Sequence, residues 1–478
     1  MLRHVMAIVV LMALGVLGLS GGLAHAADKA MPAEVARAWA KTGLPESSMS
    51  MVIEEVGGSR LAGVNAAEFK NPASVMKLLT TWAAVSELGP DFVWRTALLI
   101  DENAKISDAG VLSGPVYLRA TGDPLILLED LWRLLRELRF RGITQINDIV
   151  VDRSAFSEVA INPGDFDGKP DRPYNASPDA FMIGFGALRL VFTPDLQAKR
   201  WRAFVDPPIA GVDIDSNIKY LDGSCRRGPN VGIRMVENGN DVRFRVDGQA
   251  YGACGEFDFY RLAFDQQAFA ARALRSMWTE LGGTMTGEVK AGTTPNNAMP
   301  VAAHQSPPLA EVIRLVNKRS NNVMTRVLML TLGAQFGPRP ATVASSAEVV
   351  KQIISRQGIE LGQTVVDNGS GLSRDARLSA DVMSDILQHA WRSPTMPEFV
   401  SSMAILGIDG TLRRRLSNND ARGYANMKTG ALKNARAIAG YVLAKSGKRY
   451  VFVSLVNHPQ AYKARNFENA VMDWLNER

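Results

Sequence analysis

The sequence predicts a mixed α/β fold of the α+β kind, an antiparallel sheet covered by helices and interrupted by a long insertion that is β-rich in part. Three observations predict it. Hairpins of alternating apolar and polar residues occur near both ends of the chain, and helical periodicity flanks each of them. Between them, from about Phe156 to Cys254, the composition shifts toward Pro, Gly, Asp and Asn with short alternating runs such as Val242–Val246. At 478 residues the chain is also too long for one ordinary domain, and two or three are expected.

The elements follow in order. Arg3 and His4 precede an apolar run from Val5 to about Leu19, which ends at Ala24-His25-Ala26. A positive start, a greasy middle and a small-x-small end predict a signal peptide over residues 1–26. The run falls short of the ~20 residues that span a bilayer. Pro32–Ala40 reads as an amphipathic helix with proline at its permitted first position, stopped at Gly43-Leu44-Pro45. Ser50–Val56 and Arg60–Phe69 alternate around Gly57-Gly58 as a hairpin, and Ala73–Leu88 is a helix closed by Gly89-Pro90. Strands then alternate with one strong helix, Leu127–Arg141. Gln266–Leu281 and the apolar-periodic Leu309–Leu332 are helical, Ala437–Ala444 and Arg449–Val456 form a second hairpin, and Tyr462–Asn476 is a closing helix.

Composition excludes several classes. Hydrophobic residues at 46% and charged residues at 21% suit a globular protein, and no later segment is long and apolar enough to span a membrane. A net charge of +6 without a dense basic tract disfavours nucleic acid, while an anionic wall polymer or loose contact with a membrane surface remains open. Once His4 and His25 leave with the signal, His304, His389 and His458 remain, none in a metal-ligand pattern, so no metal is expected. An exported chain with only Cys225 and Cys254 favours one disulfide between them, with two free thiols as the alternative. Closing that loop would stabilise by ~3–4 kcal/mol in the chain-entropy model.

Three short patterns carry chemistry, and each occurs twice. Ser-x-x-Lys lies at Ser74–Lys77 and at Ser216–Lys219, Ser-x-Asn at Ser320–Asn322 and at Ser417–Asn419, Lys-Thr-Gly at Lys41–Gly43 and at Lys428–Gly430. Context separates the copies. Ser74 falls in the first turn of a helix after Asn71-Pro72, where the helix dipole favours negative charge, with Lys77 one turn on along the same face. A buried lysine can lose its charge and take the serine proton. An ordinary helix cap beside a surface lysine has the same pattern. Ser216–Lys219 instead sits among Asp213, Asp215 and Asp222 and reads as a solvated turn. Ser320-Asn321-Asn322 interrupts an apolar helical stretch and needs polar partners there, whereas Ser417–Asn419 is a polar turn. Lys428-Thr429-Gly430 leads into the last hairpin and belongs on a strand, while Lys41–Gly43 is a helix stop.

The surviving order, Ser-x-x-Lys, Ser-x-Asn, Lys-Thr-Gly, is the set found in penicillin-recognising serine enzymes. The sequence resembles the low-molecular-mass class C penicillin-binding proteins, the D-alanyl-D-alanine carboxypeptidase/endopeptidase family. The stretch between Lys77 and Ser320 takes up about half the chain, as in that group, and Tyr117–Pro124, Asp367–Arg374 and Gly407–Leu412 match it as well. The resemblance implies a β-lactamase/transpeptidase-like domain (27–90 and 300–478) with two nested insertions, 91–165 with 262–299 and the β-rich 166–261. It also implies roles. Ser74 attacks the carbonyl between the terminal D-alanines of peptidoglycan stem peptides and crosslinks, and Lys77 is the base. Ser320 passes a proton to the leaving amine, and Asn322 orients the peptide. Lys428 and Thr429 hold the carboxylate, Gly430 lets the backbone pass, and Ser74 and Ala431 offer oxyanion N–H groups. Arg374 and Lys433 face the wall-peptide side chain, with Asp171 and Tyr174 as weaker candidates. β-Lactams are implied inhibitors, no cofactor is needed, and the place of action is the periplasm. A β-lactamase-like hydrolase and a non-catalytic peptidoglycan-binding protein are the competing readings.

Overall fold

The computed structural model describes residues 28–478, and the expected signal peptide over residues 1–26 lies outside them. Six strands form an antiparallel sheet in the order Ala404–Ile405, Ala425–Leu432, Ala435–Leu443, Arg449–Asn457, Met49–Glu55, Arg60–Val64. The two hairpins seen in the sequence thus join edge to edge, with Met49 opposite Val456 and Glu55 opposite Tyr450. The second strand is shorter than its alternation suggests, because Asn65 turns the chain at φ 46°.

Period-two alternation divides these strands between two cores. Val52, Ala437, Ala439, Tyr441, Val451 and Val453 pack on one face against the helices Met76–Leu88, Leu309–Arg319, Asn322–Phe336 and Ala380–Arg392. Met51, Ile53, Ile438, Val442 and Phe452 pack on the other face against Ala33–Ala40 and Ala464–Asn476. Each fully buried large side chain contributes roughly 1.5–3 kcal/mol, so both faces hold the sheet in place. The helix Met76–Leu88 is buried from Met76 through Val85, which puts it at the centre of the first core. Its polar residues Lys77, Thr80 and Thr81 therefore need internal partners, and all three have them.

A five-stranded sheet follows, ordered Val289–Ala291, Ile149–Asp152, Val116–Ala120, Arg95–Ile100, Met299–Gln305. The helices Leu128–Phe140 and Gln266–Glu280 share its core. The boundary expected between 299 and 300 falls inside the last of these strands, whose pairing runs on to Gln305 opposite Arg95. Residues 156–187 hold only short 3-10 turns. The strands of the β-rich part begin at Leu188 and make two three-stranded sheets. One of these strands, Val212–Leu221, contains Ser216–Lys219 and corrects the expected solvated turn. Val212, Ile214, Ile218 and Tyr220 occupy alternate positions, which is a strand signal that the intervening aspartates obscure. Cys225 and Cys254 form a disulfide. Among the described residues no helix is long and apolar enough to cross a membrane.

Candidate active site

Four segments converge on Ser74. The first is its own approach. The Asn71 backbone N–H donates to Asn457 Oδ1 (2.6 Å) and Asn457 Nδ2 donates back to the Asn71 carbonyl (3.0 Å), which fastens this segment to the end of a sheet strand. Asn71 Oδ1 then accepts from the Ala73 N–H at 2.9 Å. Ala73 is held at φ 45°, a left-handed conformation that costs a non-glycine residue about 1–2 kcal/mol. A 3-10 turn, Ala73–Val75, carries Ser74 into the helix Met76–Leu88.

Lys77 lies one turn along and is wholly buried. Its ammonium nitrogen is 3.2 Å from Ser74 Oγ, 2.6 Å from Asn322 Oδ1 and 2.5 Å from the Ser370 carbonyl. Burial first, then the charges of Lys428 and Arg326, hold its pKa well below the ordinary lysine range. A neutral amine has two N–H bonds and one lone pair. Here two acceptors, Asn322 Oδ1 and the Ser370 carbonyl, take the two N–H bonds, which leaves the lone pair for the Ser74 hydroxyl proton.

The second segment is a helix break, and the third is the strand that carries Lys428. Leu309–Arg319 ends at Ser320 in a left-handed conformation (φ 57°, ψ 41°), and Asn321 caps the next helix, Asn322–Phe336, by accepting from the Met324 N–H at 3.0 Å. This reversal presents Ser320 and Asn322 together. Lys428, on the strand Ala425–Leu432, donates to Ser320 Oγ (2.9 Å) and to the Thr429 carbonyl (2.7 Å). Burial lowers the Lys428 pKa to about 7. Thr429 Oγ1 donates to Thr411 Oγ1 at 2.8 Å. Gly430 has a steric reason to be glycine, since a Cβ there would lie 2.8 Å from the Pro72 carbonyl oxygen and 2.9 Å from Ser74 N.

The fourth segment is the loop Asp367–Arg374, where Gly371 (φ 72°) passes so close that a Cβ would sit 1.8 Å from the Ala73 carbonyl oxygen. Above these residues opens a cleft of about 1550 Å³ lined by Ser74, Ser320, Asn322, Arg374, Ala431 and Lys433, among others. Ser74, Lys77 and Asn322 thus form one hydrogen-bonded group and Ser320 and Lys428 a second, linked by the Ser320-Asn321-Asn322 turn, with Thr429, Gly430 and Ala431 on the strand that carries Lys428.

With this geometry in view, the comparisons with known proteins are decisive. The D-Ala-D-Ala carboxypeptidase 3 (S13) family matches over residues 31–478. The chain belongs to that family. It is 27% identical over 419 residues to the D-alanyl-D-alanine carboxypeptidase DacB of Haemophilus influenzae, covering 87% of this chain and 86% of that protein. It is 24% identical over 432 residues to the D-alanyl-D-alanine carboxypeptidase of Actinomadura sp., covering 85% and 77% of the two chains. The crystal structure of penicillin binding protein 4 from Haemophilus influenzae superposes with a TM-score of 0.75 at 24% identity, over 93% of this chain and 99% of that one. The expected family and fold class therefore both stand.

In this S13 chain the outer residues are less uniformly placed. Arg374 and Lys433 both line the cleft and are exposed. Arg374 donates to the Phe166 carbonyl at 2.8 Å and stacks 5.0 Å from the centre of that ring. Tyr174 lines the cleft too, and its hydroxyl donates to Asp167 at 2.7 Å; burial first, then that carboxylate, push the phenol up to about 12. Asp171 does not line the cleft, because it is spent on Arg261 at 2.8 Å. Sequence reasoning missed Asp167, Thr411, Arg326 and the Asn71–Asn457 clasp. Thr411 lay in a stretch already singled out, Gly407–Leu412, and Asn71 had been noted only as the residue before Pro72. No cluster of three or more His, Cys, Asp or Glu that could hold a metal occurs among the described residues.

Proposed function

We propose that this S13 chain is a periplasmic serine D-Ala-D-Ala carboxypeptidase that also cuts D-alanyl crosslinks, working through an acyl-enzyme on Ser74. The observation that carries the reading is the bonding of Lys77: with both N–H bonds of its neutral form directed at Asn322 and Ser370, the amine faces Ser74 as a base. Lys77 takes the Ser74 proton as Oγ attacks the carbonyl between the two D-alanines. The backbone N–H groups of Ser74 and Ala431 receive the developing oxyanion. Ser320, held by Lys428, relays to the leaving amine the proton that Lys77 took from Ser74, which returns Lys77 to its neutral form, and terminal D-alanine departs with its carboxylate beside Thr429. Water, deprotonated by the same lysine, then releases the shortened peptide.

Arg374 and Lys433 at the cleft wall suit a wall-peptide side chain that ends in a free carboxylate. The division into a catalytic part built from both ends and two nested insertions is part of the same reading, supported by the separate six-stranded, five-stranded and three-stranded sheets. Penicillin binding protein 4 of Haemophilus influenzae has been crystallised with a β-lactam, and β-lactams are accordingly proposed to acylate Ser74 here. The test is to incubate the mature protein with a fluorescent penicillin and map the adduct. Label on Ser74 that vanishes in Ser74→Ala is the expected result, and label that survives this substitution would sink the assignment.

A further inference from the structure

The Gly407–Leu412 stretch has no part in the scheme above, yet it touches the site through Thr411. Thr411 and Thr429 have their hydroxyl oxygens 2.8 Å apart, and Thr411 is open to solvent. We propose that Thr411 supplies the second hydroxyl of the carboxylate clamp, acting with Thr429 on the C-terminal carboxylate of the substrate; this rests on the D-Ala-D-Ala reading.

A carboxylate offers about four lone-pair directions and is recognised by several donors at once. The expected donor Lys428 is wholly buried and already committed to Ser320 Oγ and the Thr429 carbonyl. Along the strand, the residue two positions on from Thr429 and on the same face is Ala431, which lines the cleft and has no hydroxyl. Thr411 fills that gap from a different segment. With no substrate bound, the Thr429 proton is directed at Thr411. When a carboxylate arrives, Thr429 can turn its proton to it and accept the Thr411 proton in exchange, so that the pair delivers a polarised O–H to the anion.

Thr411 is also built in rather than left free. Asp409 Oδ1 accepts from the Ile405 N–H at 2.7 Å, and its Oδ2 accepts from Lys318 Nζ at 2.7 Å. Lys318 Nζ donates as well to the Met403 carbonyl at 2.8 Å. Gly410, at φ 53°, packs so tightly that a Cβ would lie 2.6 Å from the Lys318 carbonyl oxygen. Lys318 is two residues before Ser320, so the same clasp sets Thr411 against the turn that carries the proton relay.

The experiment compares kcat/KM of wild type, Thr411→Val and Thr411→Ser on two substrates, an acylated tripeptide ending in D-Ala-D-Ala and an N-acyl-D-alanine p-nitrophenyl ester, which has no terminal carboxylate. A hydrogen bond to a charged group predicts that Thr411→Val lowers the peptide-to-ester ratio by roughly 10- to 100-fold, and that Thr411→Ser restores most of it. A ratio that stays within about twofold of wild type, whether both activities fall or neither does, overturns the clamp while leaving Ser74 chemistry intact. Wild-type protein that hydrolyses the ester but not the peptide overturns the D-Ala-D-Ala reading and the clamp with it.

Discussion

Gly371→Ala isolates how closely one loop presses on Ser74, the proposed nucleophile. A Cβ at this position would lie 1.8 Å from the Ala73 carbonyl oxygen and 3.1 Å from Ser74 N, whereas real Cβ contacts essentially never fall below 3.0 Å. The backbone of one partner must therefore retreat by about 1.2 Å, and Ala73, already at φ 45°, has little freedom to absorb it. Ser74 moves with Ala73, and a misplacement of about 1 Å costs on the order of 100-fold in rate. A separate penalty of about 1–2 kcal/mol in stability comes from placing alanine at positive φ. Gly369→Ala is the matched control. Gly369 has φ 71° against 72° for Gly371, but its added Cβ meets the Met329 sulfur and Thr80 Oγ1, both at 3.0 Å, and not the Ser74 segment. The assay is the second-order rate of acylation by fluorescent penicillin, with thermal melts run alongside. Both variants should melt lower, and only Gly371→Ala should lose about two further orders of magnitude in acylation. A folded Gly371→Ala that acylates within about threefold of Gly369→Ala would show that the predicted contact does not control the serine.

Two more outcomes follow from buried charge. In the proposed mechanism Lys77 must be neutral to act as the base, so acylation should rise as pH rises through its lowered pKa, which burial, Lys428 and then Arg326 depress. Arg326→Gln removes one of those positive charges, so the Lys77 pKa should rise and the rising limb of the acylation profile should move to higher pH; a limb that stays put or moves lower refutes the electrostatic account. Glu468, with a side chain 0% exposed, pairs with Arg415 at 2.9 Å and Arg436 at 2.9 Å, and the Arg415 side chain is only 3% exposed. Glu468→Gln strands those cations and should cost about 3–5 kcal/mol in equilibrium urea unfolding. A loss under about 1 kcal/mol would mean the arginines find other partners.

The parts of the molecule that depend on local pattern were readable from the sequence. The hairpins at Met49–Val64 and Ala435–Asn457 announce themselves by alternation, and the polar break at Ser320 within an apolar helix pointed to a site because buried polar groups need partners. What was not readable depends on approach between distant segments. The reasons for Gly371 and Gly430 are the Ala73 carbonyl and Ser74 N, far away in sequence, and nothing beside either glycine records that. Asp171 and Asp167 look equivalent along the chain, and only Arg261 taking the first and Tyr174 the second decides which one faces the cleft. Ser216–Lys219 was misread for a different reason: acidic residues on the open face of a strand hide the apolar residues that alternate with them.

The strand Met49–Glu55 finds its partner in Arg449–Asn457, and Asn71 finds its anchor in Asn457. Residues 449–457 must therefore be in place before the floor beneath Ser74 can close. Contacts of such span form late and slowly. The surroundings of Ser74 are thus completed only when segments 386 positions apart have met.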